Sequence, residues 1–114
     1  MTDLEYMDRA ERLLNQIERD CDRLNDQADV DIDNQRAGGM VTLLFPDGGQ
    51  IVVNLQKPLH EVWLAARAGG LHFRYADGCW RDTKTGENFY ACLSRAASAQ
   101  AGRALQFGDR EVKS

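Results

Sequence analysis

Histidine, proline and cysteine are scarce in this chain, with two, two and three among 114 residues. Cys21, Cys79 and Cys92 show no C-x-x-C spacing, which argues against a disulfide framework and against a zinc or iron–sulfur cage made by this chain alone. The three thiols read instead as small buried apolar groups. No apolar run approaches the roughly 20 residues that span a bilayer, and the start carries no secretory apolar region. A soluble cytoplasmic protein without a membrane partner is expected. No Ser/His/Asp or Cys/His arrangement stands in a persuasive context, and no glycine loop is built to cradle phosphate. Gly38-Gly39, Gly48-Gly49 and Gly69-Gly70 read as turn punctuation, so an enzyme is not expected. His60 and His72 read as structural or interfacial groups.

Basic charge is also sparse at one end. Residues 1–33 carry eleven acids against four arginines, a net −7, whereas residues 34–114 carry seven acids against ten bases, a net +3. Such an acidic end is a poor nucleic-acid ligand. It suits metal cations or a basic protein surface. At 43% hydrophobic and 28% charged, the chain has the composition of one folded domain. Residues 1–108 are expected to form it, followed by a frayed tail over 109–114.

The most informative stretch is Ala28-Asp29-Val30-Asp31-Ile32-Asp33. Carboxylate and β-branched residue alternate with period two, which predicts a half-buried strand with Val30 and Ile32 turned inward. Asp29, Asp31 and Asp33 would then form one row, about 6.6 Å apart, repelling by on the order of 1.5 kcal/mol before screening. A charged strand that merely protects a sheet edge is the plain alternative. A calcium loop does not fit, because Asn34 and Met40 stand where its glycine and glutamate belong.

Before this stretch, Met7, Ala10, Leu14, Ile17, Cys21 and Leu24 recur at three- and four-residue steps. They predict an amphipathic helix from near Asp3 to near Leu24, capped by Thr2 or Asp3. Glu11, Glu18 and Asp22 share its outer face with Arg12, Arg19 and Arg23, so part of that face is self-paired. A short loop over 25–27 would bring Glu18, Asp22 and Asp26 beside the acidic strand.

Beyond it, alternation predicts strands over Met40–Phe45, Ile51–Gln56, Glu61–Ala66, Leu71–Tyr75 and Cys79–Asp82. A hairpin turn at Pro46-Asp47-Gly48-Gly49 joins the first two of these. Thr85 is expected to cap a second helix whose inner face is Phe89, Leu93, Ala96, Ala97 and Gln100, with Gly102 as its stop. Leu105 and Phe107 would plug the space between the helices. The fold class is therefore α+β. It is a two-layer α/β sandwich with both helices on one face of an antiparallel sheet of five to six strands. On the other face, Asn54, Gln56 and Trp63 have outward parity, with Leu44 and Val52, and read as a partner-binding patch.

The string from Asn54 to Ala65, Asn-Leu-Gln-Lys-Pro-Leu-His-Glu-Val-Trp-Leu-Ala, followed by Gly69-Gly70-Leu71-His72-Phe73, closely resembles the signature of the frataxin family in its bacterial form. The likeness runs on through Trp80, Gly86 and Phe89 and spans residues 3 to about 107. It implies the same sandwich and a role in iron–sulfur cluster biogenesis, as regulator of the cysteine desulfurase and scaffold complex, with iron delivery also proposed. It further implies weak, exchangeable iron binding by an acidic ridge, here Glu18, Asp22, Asp29, Asp31 and Asp33, and a monomer without metal. Asn54, Gln56 and Trp63 match the sheet residues used on the assembly complex. This sequence departs from the family's acids at Arg19, Arg23, Asn25 and Gln27, while Asp20 and Asp26 are acids of its own. Oxygen donors of this kind suit iron and other divalent cations without selecting among them. A ferroxidase-like iron-storing oligomer, and an acidic interaction domain without a metal role, are the alternative readings.

Overall fold

The computed structural model describes residues 1–108. Helix α1 spans Asp3–Gln27. Thr2 caps it through a reciprocal box, its hydroxyl accepting from the Glu5 N–H while the Glu5 carboxylate accepts from the Thr2 N–H. The apolar stripe is buried through Tyr6, Ala10, Leu13, Leu14, Ile17, Cys21 and Leu24.

Six strands follow as an uninterrupted antiparallel meander. They are β1 Asp33–Ala37, β2 Met40–Leu44, β3 Gln50–Gln56, β4 Glu61–Ala66, β5 Gly69–Ala76 and β6 Cys79–Asp82. Helix α2 spans Phe89–Ala101. The core lies between the sheet and the two helices. Val41, Leu43, Ile51, Val53, Val62, Leu64 and Phe73 enter it from the strands, and Phe89, Leu93 and Ala97 from α2. Each large apolar side chain fully withdrawn from water contributes about 1.5–3 kcal/mol. The β2–β3 turn is closed by a Phe45 N–H bond to the Gly49 carbonyl, with Gly48 at φ +90° supplying the left-handed step.

Four expectations need correction. The first strand does not begin at Ala28, because only Asp33–Ala37 pairs with β2, and Asp29 sits at φ +54°, which no strand residue adopts. The predicted loop over 25–27 is instead the last turn of α1. Asn88, not Thr85, caps α2, its side chain accepting from the Tyr90 N–H at 2.8 Å. Thr85 is held in the preceding turn, where the Asp82 carboxylate accepts from the N–H groups of Lys84 and Thr85. Finally, Asp20 is buried rather than part of an acidic face, accepting from Gln16 Nε2, Arg23 and the Gly108 N–H.

That last contact belongs to a strap. Leu105 and Phe107 are buried, and the Ser98 and Ser94 hydroxyls accept from their N–H groups, while Arg23 donates to the Gln106 carbonyl. The segment 105–108 is thereby pinned to both helices, as the plug was expected to be. Gly102 ends α2 in the left-handed conformation. The expected tail, 109–114, lies outside the described residues.

Candidate functional site: an acidic helix end and the open sheet face

The chain leaves α1 through a device centred on Asn25. Its side-chain amide donates to the Ile32 carbonyl at 2.8 Å, and its oxygen accepts from the Ile32 N–H at 2.8 Å. One side chain thus takes the place of a strand neighbour and ties residue 32 to the end of the helix. The connection between them keeps the alternation seen in the sequence without ladder bonds: Ile32 is buried, Val30 is half-buried, and Asp29, Asp31 and Asp33 are exposed.

The ridge acids divide into two groups. Glu18 is not free, because Arg36 on β1 donates to it at 2.7 Å and also to Asn15 and to Glu11. Helix acids were expected to pair with helix arginines, and Arg12 does pair with Asp8, but the group that neutralises Glu11 and Glu18 comes from the strand edge. Arg19 bonds to Gln16, and Arg23 turns to Asp20 and the 105–108 strap. Asp22, Asp26, Asp29 and Asp31 therefore make no hydrogen bond or ion pair with a described residue, and Asp33 accepts only from Gln35 at 3.4 Å. Asp26 stands in the last turn of α1, which carries no basic residue, and Asp22 one turn earlier, where Arg23 is engaged by Asp20 and Gln106. The helix dipole is negative there, so both charges are placed against its preference. Among the described residues, no three acidic, imidazole or thiol groups converge closely enough to hold a metal ion.

The open face of the sheet is more built than its sequence suggested. Cross-strand register sets Asn54 opposite Trp63 and Trp63 opposite His72, with Gln56 opposite Glu61 and Glu61 opposite Arg74 in the next row. Trp63 and His72 stack with centroids 4.2 Å apart and planes 6° from parallel. The indole N–H donates to Glu61 Oε1 at 2.8 Å, and Arg74 Nε donates to Glu61 Oε2 at 2.9 Å. Glu61 is only 6% exposed despite its outward parity. Burial pushes its carboxyl up, but the bonds from Trp63 and Arg74, with the charges of Arg74 and His72, outweigh burial and hold it below the usual range. Gln56 donates to Asn54 at 3.3 Å. A hollow of about 130 Å³ opens beside Trp63, Asn54 and His72.

The expected patch of Asn54, Gln56 and Trp63 is thus brought together. Glu61, His72 and Arg74, which fix the indole, were missed as parts of it. Their signal was available: Glu61-x-Trp63 and His72-x-Arg74 place both pairs on one face by strand parity. His60 is structural, with Nε2 2.7 Å from Asp3 Oδ1 and its ring stacked on Tyr6. Cys21 and Cys92 are buried, and burial is the main cause that raises their thiols to about 12 and about 11. Cys79 is half-buried, not fully buried as expected.

The model of the frataxin-like domain matches residues 1–103. The chain belongs to the frataxin-like family. Its relatives include a protein of Variovorax paradoxus described as iron-sulfur cluster assembly protein CyaY. That protein is 64% identical over 107 residues, covering 94% of this chain and 97% of the relative. A protein of Verminephrobacter eiseniae with the same description is 60% identical over 107 residues, 94% of this chain and 98% of the relative. Among solved structures, the frataxin of Psychromonas ingrahamii superposes with a TM-score of 0.83 at 32% identity, over 96% of this chain and 100% of the other. A trimeric frataxin from Saccharomyces cerevisiae, at 24% identity and a TM-score of 0.71 over 82% of this chain and 86% of the other, shares the fold. This frataxin-like sandwich has six strands, the upper of the two numbers expected, and no helix among the described residues is long and apolar enough to cross a membrane.

Proposed function

We propose that this chain works in iron–sulfur cluster assembly as a non-enzymatic component that docks on the cysteine desulfurase and scaffold machinery and offers iron weak, exchangeable oxygen ligands. The extended likeness to relatives described as iron-sulfur cluster assembly proteins supports the process. The observation that carries the metal reading is the set of unpaired carboxylates at the end of α1. Asp22, Asp26, Asp29 and Asp31 lack partners among the described residues, and two of them oppose the helix dipole, so an arriving cation relieves repulsion among them. Hard oxygen donors without a converging triad bind ferrous iron loosely and without selecting it over other divalent cations. The sheet face supports the docking reading, because a half-buried tryptophan fixed by a carboxylate and flanked by amides is the kind of preorganised anchor that protein partners use.

Ferrous titration followed by amide NMR tests the metal reading. Shifts or broadening confined to residues 22–33 are expected, and a flat response there refutes it. Pull-down with the cysteine desulfurase and scaffold tests docking. Trp63→Ala and the triple change of Asp29, Asp31 and Asp33 to Asn are each expected to lower capture, and undiminished capture in both defeats the surface assignment. Iron-dependent oxygen consumption no faster than without protein is expected of a non-enzyme.

A further inference from the structure

A second charged surface lies on the helix side of the sandwich, opposite the open sheet face. Here α1 faces β5, β6 and the start of α2 across a groove of about 730 Å³. Arg9, Arg12 and Arg19 project from α1 into it, and Tyr75, Trp80 and Asn88 line the far side. The chain as a whole is net −4, yet three guanidinium groups converge on this one concavity. Arg9 and Arg19 come within ion-pair distance of no carboxylate among the described residues. Arg19 bonds only to the neutral Gln16, and the acid one turn from Arg9, Glu5, is occupied by the backbone of Thr2. Arg12 pairs with Asp8, which also lines the groove, but at 3.3 Å with both side chains largely in water, so that pair is readily exchanged.

The arginines are also presented for use. The Arg9 guanidinium lies over the Tyr75 ring at 4.4 Å. That contact restrains the guanidinium at the groove wall, and a guanidinium can donate two parallel bonds to a carboxylate. From Arg9 to Arg19 the cations extend about 15 Å along the helix axis. That is too long for one phosphate or one carboxylate, and it matches four to five residues of extended chain at about 3.3 Å each.

We propose that this groove docks an extended, carboxylate-rich segment of a partner protein, held by Arg9, Arg12 and Arg19 against the aromatic wall of Tyr75 and Trp80. Because it lies on the helix layer, the groove leaves the Trp63 face open to a different contact. The inference stands independently of any metal reading.

The test uses the full chain and fluorescein-labelled hexaglutamate, followed by anisotropy at low ionic strength. Binding is expected, with a loss of at least tenfold in R9Q/R19Q and of less than twofold in R67Q/R103Q, which removes the same charge elsewhere. Unmodified hexaglutamate should also slow iodoacetamide alkylation of Cys79, the half-buried thiol in the groove, in the wild-type chain. This readout needs no variant and survives any folding defect in R9Q/R19Q. Equal weakening of both double variants, no protection of Cys79, or tighter binding of a hexathymidylate than of hexaglutamate would each overturn the proposal.

Discussion

Removing the Asn25 side chain should loosen the whole acidic connection, and the size of the effect follows from two bonds. Both Asn25 contacts to Ile32 are 2.8 Å long and partly buried. A neutral hydrogen bond nets about 1 kcal/mol, so Asn25→Ala costs about 2 kcal/mol, or roughly 8 °C in melting temperature for a domain of this size. Asn25→Asp is more diagnostic. The carboxylate keeps the bond from the Ile32 N–H but turns its other oxygen on the Ile32 carbonyl. That opposition disfavours the charged form, so the pKa in the folded state is raised above its unfolded value near 3.9. A raised folded pKa gives stability that is fully present below the unfolded pKa and is lost as pH rises through the folded one. The deficit of N25D against wild type should therefore be small near pH 4 and should grow toward pH 7. Urea denaturation followed by circular dichroism at four or five pH values measures it. A variant as stable as wild type at pH 7, or a deficit that does not change with pH, refutes the role assigned to this amide.

Asp20→Ala leaves the Gly108 N–H and the Gln16 amide without their acceptor, so a loss of about 2–3 kcal/mol is expected, together with faster hydrogen exchange at Phe107 and Gly108. Unchanged exchange there would mean that the strap is held by the serines alone. Arg36→Gln should cost only about 1 kcal/mol, because its ion pairs are partly solvated. In that variant, Mn²⁺ broadening should spread from residues 22–33 to Glu11 and Glu18, and broadening already present there in wild type contradicts the clamp. Glu61 has a depressed folded pKa, so its contribution is present above the unfolded value near 4.3 and is lost as pH falls through the folded one. Glu61→Gln should flatten that part of the acid limb in urea midpoints measured between pH 5 and pH 3. Changing Asp22 and Asp26 together to Asn should raise stability by about 0.5–2 kcal/mol at low salt, since each opposes the dipole at the end of α1. A lower melting temperature would reveal partners for these acids in solution.

Most of the architecture could be read from periodicity, and the misses share a cause. The stripe from Met7 to Leu24 and the alternation in β2 to β6 report burial, and most of it was read correctly, although the buried Tyr6 was missed and Met7 and Cys79 are only half-buried. Burial does not report pairing. Residues 28–32 alternate as a strand does, but β2 leaves the ladder after Leu44, opposite Asp33, to turn at Pro46. Among the described residues no strand is left for residues 28–32 to pair with, and the Asn25 side chain supplies the missing partner for Ile32. Likewise Thr85 has the chemistry of a cap, but the Asp82 turn and the bridge of Arg81 to Asn88 hold the chain on β6 for three more residues. Competition for backbone groups decided both cases, and it is invisible to a pattern of side-chain polarity.

The same distinction governs the acidic surface. A charge count over residues 1–33 treats eleven carboxylates alike, whereas the fold sorts them by what reaches each one. Asp20 is spent on a buried anchor, Glu11 and Glu18 on an arginine that follows Glu18 by eighteen residues, Asp3 on His60, Glu5 on the Thr2 N–H and Asp8 on Arg12. The carboxylates that remain lie at the end of one helix and along a connection without ladder bonds, so they cluster by topology rather than by strand spacing. Repulsion among them is local to a segment tied down mainly by Asn25 and Ile32, so a cation or a basic partner that settles there acts on the least restrained part of α1's exit and leaves the core undisturbed.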